Sequence, residues 1–136
     1  MENKVKRKSK NEIRIENQGI SPIYYYSRVK FNQEEIEDIA TTCLLIDEEK
    51  AVIARGIAIC SFKDNFNKSK GRSIALGRAI QAYEHHCSLA LIRDREFDYG
   101  KNFAMEFVAS NISDFKAEYA PRITEDERKL VERAVK

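Results

Sequence analysis

The sequence has no tryptophan, only two prolines, five glycines and three cysteines. An odd number of widely spaced cysteines is not a disulfide framework or a zinc site, so Cys43, Cys60 and Cys87 are predicted to be buried free thiols. No apolar run approaches the roughly 20 residues that a membrane-spanning helix needs. The basic start of the chain is not followed by the apolar core of a signal peptide. We therefore expect a cytoplasmic protein without a membrane partner.

The charge of the chain is nearly balanced, with 24 basic and 22 acidic residues and a formal net charge of +2. This balance does not favour a stable complex with nucleic acid. Positive charge is concentrated at the start, where five basic residues face a single Glu2: Lys4, Lys6, Arg7, Lys8 and Lys10. We predict that residues 1–11 form a disordered basic tail and residues 12–136 a single domain. An alternative is that the tail attracts anionic ligands.

Periodicity and turn signals predict an α+β fold in which an N-terminal antiparallel sheet packs against C-terminal helices. Strands are predicted at residues 23–31, 41–46 and 51–61, with a short one starting at Ile13 and Ile15. Asn32 and Glu35 resemble a capping box before one helical turn through Ile36 and Ile39. Helices are predicted from Ser69 or Gly71 to about His86, over 102–119, and from a capping box at Thr124 to Val135.

Motifs of enzymatic chemistry are missing from the sequence. It contains neither a Walker loop nor a dinucleotide-binding fingerprint. No serine or cysteine lies in a nucleophile motif. His85 and His86 are adjacent, which on a helix separates them by about 100° and makes them a poor chelating pair. We therefore expect no catalytic residues, no metal and no cofactor.

Three arginines among small or apolar residues are the main candidates for binding a ligand: Arg55, Arg72 and Arg78. Arg72 follows a glycine at a predicted helix start, where free amides and the helix dipole favour an anion. Arg55 is either a ligand contact or part of a structural ion pair. Phe66, in the preceding polar turn, either stacks on a base or packs under the turn. Asn67 either contacts the ligand or caps the helix.

Arg72 and Arg78 are six residues apart, so a rotation of about 240° separates them on one helix. A site that uses both needs an end-on ligand or a second subunit. This geometry favours a pocket between subunits and therefore a homo-oligomer. The alternative is that Arg78 pairs with Glu84 or Asp94 at the surface. Gly77 and the small strand residues 54, 56 and 58 offer surfaces for close contact with a second copy.

A second candidate surface lies on the strand at 23–31. Alternation places its aromatic and basic residues on one face, opposite the predicted core face. That face forms a possible second nucleotide site consisting of Tyr24, Tyr26, Arg28 and Lys30.

The run from Ala54 to Ala82 resembles a family of phage anti-defence proteins, the first-described sponges that block the Thoeris system. The resemblance rests on five matches: Ala54-Arg55-Gly56, Cys60-Ser61, Asp64 with Phe66, Gly71-Arg72 and Gly77-Arg78. It covers about a fifth of the chain closely, and the flanks agree only in length and layout.

The resemblance implies a protein that does no chemistry but captures glycocyclic ADP-ribose, a messenger made by bacterial TIR proteins. It also implies a homo-oligomer with pockets between subunits and, as in some members of the family, a separate site for cyclic oligonucleotides. In this interpretation Phe66 stacks on the adenine, Arg72 and Arg78 neutralise the diphosphate, and Arg55 and Asn67 are secondary contacts. The alternatives are a small nucleic-acid-binding phage protein and an enzyme that cleaves the nucleotide.

Overall fold

A computed structural model describes residues 9–31, 37–60, 67–88, 105–109 and 117–134. These residues form a five-stranded sheet with three helices, so the predicted α+β class is confirmed. Of the predicted basic tail, residues 1–8 lie outside the described residues.

The first described element is a helix, where the isoleucine alternation predicts a strand. Helix α1 (Lys10–Glu16) begins at Ser9, whose hydroxyl accepts from the Glu12 amide while the Glu12 carboxylate accepts from the Ser9 amide. This capping box satisfies two amides that a helix start otherwise leaves open, and it outweighs a two-residue alternation. The strand predicted at Ile13 and Ile15 is therefore wrong, and the predicted tail extends two residues too far.

Three long strands form the centre of the sheet: β1 (Ser21–Phe31), β2 (Glu37–Ile46) and β3 (Val52–Cys60). They pair in antiparallel order, and a tight turn joins β2 to β3 as predicted. In that turn the Asp47 carboxylate accepts from the amides of Glu49 and Ala51. Ile39, predicted in a helical turn, instead pairs within β2, because sheet pairing overrides a weak local helix signal. The capping box predicted at 32–35 lies outside the described residues.

The helix predicted over 102–119 is contradicted by two short strands. β4 (Met105–Ala109) runs parallel to β1, and β5 (Ala117–Tyr119) runs antiparallel to β3. The sheet order is therefore β4-β1-β2-β3-β5. The spacing of Phe103, Phe107, Ile112 and Phe115 suggests a helix, but pairing with both edges of the sheet decides the conformation here.

Two helices lie in the described C-terminal half of the chain. Helix α2 (Lys68–His85) agrees with the prediction, and His86 ends it in the left-handed region with φ 50. Helix α3 (Glu125–Ala134) also agrees, because the Thr124 hydroxyl accepts from the Glu127 amide. The two helices belong to separate cores: α2 packs with Cys43, Leu45 and Ala54, whereas α3 contributes Val131 to a core with Tyr25 and Leu44. The sheet is thus covered on both faces.

The small-residue face of β3 serves the contact with α2. A Cβ added at Gly56 would lie 2.1 Å from the Ala75 carbonyl oxygen and 2.4 Å from the Ala79 amide nitrogen. Ala54 and Ala58 belong to the same core. This face is therefore occupied by the protein's own helix and is not available for a second copy.

The cysteines agree with the prediction only in part. Cys43 is a buried free thiol, but Cys87, just beyond α2, is exposed. Burial raises the pKa of the Cys43 thiol strongly, and the Glu12 carboxylate raises it further. The side chain of Cys60 lies outside the described residues.

Candidate functional site

Arg55 is fully buried and is held by carboxylates. Its Nε donates to Glu127 at 2.9 Å and its Nη1 donates to Glu118 at 2.5 Å. Its Nη2 donates to the other oxygen of Glu127 and to the Arg122 carbonyl oxygen. The structural ion pair is thus confirmed, and Arg55 has no exposed surface with which to contact a ligand.

Two strand neighbours complete this buried network. Glu118 lies directly opposite Arg55 in the β3–β5 pairing, and the Tyr25 hydroxyl donates to Glu127 at 2.5 Å. Both carboxylates raise the pKa of the Arg55 guanidinium, against the opposing effect of its burial. The network ties α3 to β1 and β3, so its role is to hold the fold together.

The N-terminus of α2 is basic, because Lys68, Lys70 and Arg72 lie within its first five residues. Its first turn carries no acidic residue, although acidic residues are favoured there, and instead holds Lys68 and Lys70. Asn67 is the N-cap, because its side-chain oxygen Oδ1 accepts from the Lys70 amide at 3.0 Å. The capping alternative for Asn67 is therefore confirmed. The cap leaves the amides of Lys68 and Ser69 directed out of the helix end.

Two cations of α2 lie over two tyrosines of β1. The Lys68 ammonium is 5.3 Å from the centroid of the Tyr26 ring, and the Arg72 guanidinium is 5.8 Å from that of Tyr24. Lys68 and Arg72 are one helical turn apart, and Tyr24 and Tyr26 share one face of the strand. The rise along the helix from Lys68 to Arg72 and the distance along the strand from Tyr24 to Tyr26 are both about 6 Å. The two cation–aromatic pairs therefore form side by side in register.

The two predicted sites are therefore brought together in part. Tyr24 and Tyr26 were predicted to form a separate outer surface, but they are partly covered by α2, and Tyr24 packs against the core. Arg72, predicted for the first site, contacts Tyr24 of the second. The backbones of Arg28 and Lys30 continue β1, while their side chains lie outside the described residues.

The Arg72 guanidinium has a donor from which no described residue accepts. Its Nε is buried and has no hydrogen-bond partner. None of the ion pairs among the described residues involves Lys68, Lys70 or Arg72. Burial raises the pKa of Tyr24, Cys43 and Glu12 raise it further, and Arg72 lowers it. We designate Lys68, Lys70, Arg72, Tyr24 and Tyr26 the cationic cradle.

Arg78 lies away from the cradle, as the helical rotation predicts. Its Nη1 donates to the Ile57 carbonyl oxygen at 2.6 Å. Ile57 directly follows the last residue of β3 that pairs with β5. The proposed pairing of Arg78 with Glu84 is wrong, because Glu84 forms its ion pair with Arg14 of α1. Phe66, Asp64 and Asp94 lie outside the described residues.

Lys68 is not among the site residues predicted from the sequence, although the sequence contains a pattern that points to it. Basic residues at positions 68 and 72 are one turn apart, and tyrosines at 24 and 26 alternate on one strand face. The sequence does not indicate that this strand face lies beneath this helix.

Two further kinds of feature are absent from the described part of the chain. It holds no group of three or more histidine, cysteine or acidic residues able to bind a metal ion. Within the same part, no helix is long and apolar enough to cross a membrane. No family model, curated protein or solved structure matches the chain.

Proposed function

We propose that the protein binds a phosphate-bearing nucleotide of the cyclic ADP-ribose class in the cationic cradle and sequesters it without cleaving it. The observation that carries the proposal is the pair of cations, Lys68 and Arg72, held over tyrosines at a helix N-terminus. Neither cation has an acidic partner among the described residues. The sequence resemblance to anti-Thoeris sponges supplies the ligand class and the setting, the cytoplasm of an infected bacterial cell.

The phosphates would meet three kinds of donor at the start of α2. The amides of Lys68 and Ser69 point out of the helix end, where the dipole adds partial positive charge. Lys68 and Lys70 contribute ammonium groups, and Arg72 contributes a planar fork suited to phosphate oxygens. Stacking on the tyrosines restricts the cations before the ligand arrives, which reduces the entropy lost on binding.

The other residues predicted to contact the ligand have different roles in this proposal. Arg55 is left out because it is buried in its own ion pairs. Asn67 supports the site through the cap, and its side-chain NH₂ group is not required for that bond. Phe66 remains the predicted partner for the adenine ring.

Arg78 faces a different side of α2 and cannot share a small ligand with Arg72 within one chain. We propose that it serves a pocket completed by a second copy, so that the protein acts as a homo-oligomer of at least two chains. A cyclic oligonucleotide site that uses Tyr24 and Tyr26 would overlap the cradle, so the two ligands are expected to compete.

Capture without chemistry is tested by incubating the protein with glycocyclic ADP-ribose, denaturing the complex and weighing the released ligand by mass spectrometry. We expect intact ligand to return. A changed mass would identify an enzyme. Absence of uptake, together with binding of single-stranded oligonucleotides, would favour the nucleic-acid-binding alternative.

The location of the site is tested by calorimetric titration of the Lys68→Ala/Arg72→Ala double variant. Each charge-assisted contact contributes about 1.5–3 kcal/mol, so we expect the affinity to fall at least about a hundredfold. The matched control is Arg128→Ala/Lys129→Ala, which removes the same charge from exposed positions of α3. Equal loss in both variants would mean that only net charge matters and would refute the cradle as the site.

A further inference from the structure

The cradle depends on how closely the first turn of α2 approaches the sheet. Gly71 lies in the first turn of α2, three residues after Lys68 and directly before Arg72. A Cβ added at Gly71 would lie 2.6 Å from Oγ1 and 3.3 Å from Cβ of Thr41. Thr41 is itself buried in β2. A side chain larger than hydrogen fits here only if the Thr41 side chain or the helix start moves.

Thr41 is also the cross-strand neighbour of the cradle's aromatic residues. It pairs directly with Tyr26 in the β1–β2 register, and the next same-face pair is Tyr24 with Cys43. Thr41, which Gly71 contacts, therefore lies on the same sheet face as the Tyr24 and Tyr26 rings that lie beneath Arg72 and Lys68. A shift of the helix start away from Thr41 would lift both cations from both rings.

From this arrangement we propose that Gly71 and Thr41 are positioning residues, whose direct contact sets the height of the α2 N-terminus and so holds Lys68 and Arg72 over Tyr26 and Tyr24. This inference rests on the proposed function for its consequence in binding, but its structural part stands without a ligand. Neither residue touches the nucleotide in this scheme.

The contact is complementary in size, so exchanging volume across it is the sharpest test. Gly71→Ala adds a methyl group where Thr41 leaves no room and pushes the helix start outward. Thr41→Ala removes the support and leaves the helix start loose. In the double variant the added methyl group fills the space that was vacated. We expect each single change to weaken the cradle and the double change to restore it, a non-additive result.

The first measurement needs no ligand. Protons that lie over an aromatic ring are shifted upfield in NMR spectra, so the side-chain methylene protons next to the charged groups of Lys68 and Arg72 report directly on the cradle. We expect these upfield shifts to shrink in Gly71→Ala and to return in Gly71→Ala/Thr41→Ala. The matched control is Gly77→Ala in the same helix, where an added Cβ meets no described atom within 4 Å. The control is expected to leave the shifts unchanged.

The second measurement is titration with glycocyclic ADP-ribose. We expect Gly71→Ala to bind roughly tenfold more weakly, as for the loss of one charge-assisted contact, and the double variant to bind as the wild type does. Unchanged ring shifts in Gly71→Ala, failure of Thr41→Ala to rescue them, or lost shifts with full affinity would each overturn the proposal. If Gly71→Ala does not fold, the comparison of Thr41→Ala with the double variant decides, because the added methyl group must restore the cradle.

The two measurements separate this inference from the proposed function. If the wild-type protein binds no nucleotide, the proposed function fails, while the ring shifts still decide whether Gly71 and Thr41 hold the cradle.

Discussion

Removing the Glu127 carboxylate tests the buried network that fastens α3 to the sheet. Glu127 accepts from Nε and Nη2 of Arg55, from the Tyr25 hydroxyl, and from the Thr124 amide at the helix start. Glu127→Ala therefore leaves a fully buried guanidinium with Glu118 as its remaining carboxylate. It also removes the capping-box partner of Thr124.

The magnitude follows from this burial. Breaking a buried ion pair by removing one partner costs about 3–5 kcal/mol, because the other charge stays uncompensated. A domain of this size has a free energy of unfolding of about 5–15 kcal/mol. We therefore expect Glu127→Ala to lose about a fifth or more of its stability, with a melting temperature lower by about 10 °C or more. Glu127→Gln should lose less, because the amide keeps the shape and one acceptor oxygen.

The assay is urea unfolding followed by circular dichroism, with Glu125→Ala as the control. Glu125 is on the same helix and also pairs with an arginine, Arg128, but both side chains are exposed. Arg128 lowers the pKa of Glu125, yet exposed pairs contribute little to stability. We expect the control to unfold at the wild-type urea concentration. The same midpoint for Glu127→Ala and Glu125→Ala would refute the buried network, and Glu127→Gln supplies the comparison if Glu127→Ala does not fold.

The remaining predictions concern packing, ionisation, thiol exposure and assembly. Gly56→Ala should destabilise the protein severely in thermal melts, since its Cβ would overlap the backbone of α2, whereas Gly77→Ala should be neutral or stabilising; equal effects would contradict the close packing. Burial raises the pKa of the Cys43 thiol in the folded protein above its ordinary value of 9.0. The protonated thiol therefore contributes its full stabilisation at pH values below 9.0, and this contribution falls as the pH rises above 9.0. Urea unfolding from about pH 8 to about pH 10 should show this loss, and it should be smaller in Cys43→Ala. A thiol reagent followed by peptide mass mapping should label Cys87 in the native protein and Cys43 only after unfolding. Gly77→Leu should abolish both the proposed assembly in light scattering and nucleotide capture; a wild-type monomer that binds at full stoichiometry would exclude the shared pocket.

The sequence alone determined those elements whose signals are local. The turn at Asp47 to Lys50 follows from a carboxylate that accepts from the amides of Glu49 and Ala51. The start of α3 follows from Thr124 and Glu127, three residues apart. The α+β class follows from such elements, because each depends on neighbours in the chain. Helix α1 belongs with them in principle: the Ser9–Glu12 box is a local signal, and the isoleucine alternation concealed it.

Tertiary structure decided what local signals leave open. Residues 105–109 and 117–119 became strands because both edges of the sheet were free to pair with them, and no pattern of aromatic spacing contains that information. Arg55 has the same sequence neighbours whether it meets a ligand or a carboxylate. Arg55 forms a buried ion pair because the fold brings Glu118 and Glu127 to it from 63 and 72 residues away. In the same way, the proposed cradle depends on Gly71, which lets α2 lie directly on β2 beside Tyr24 and Tyr26. Contacts between distant segments depend on packing distance, which a linear sequence does not specify.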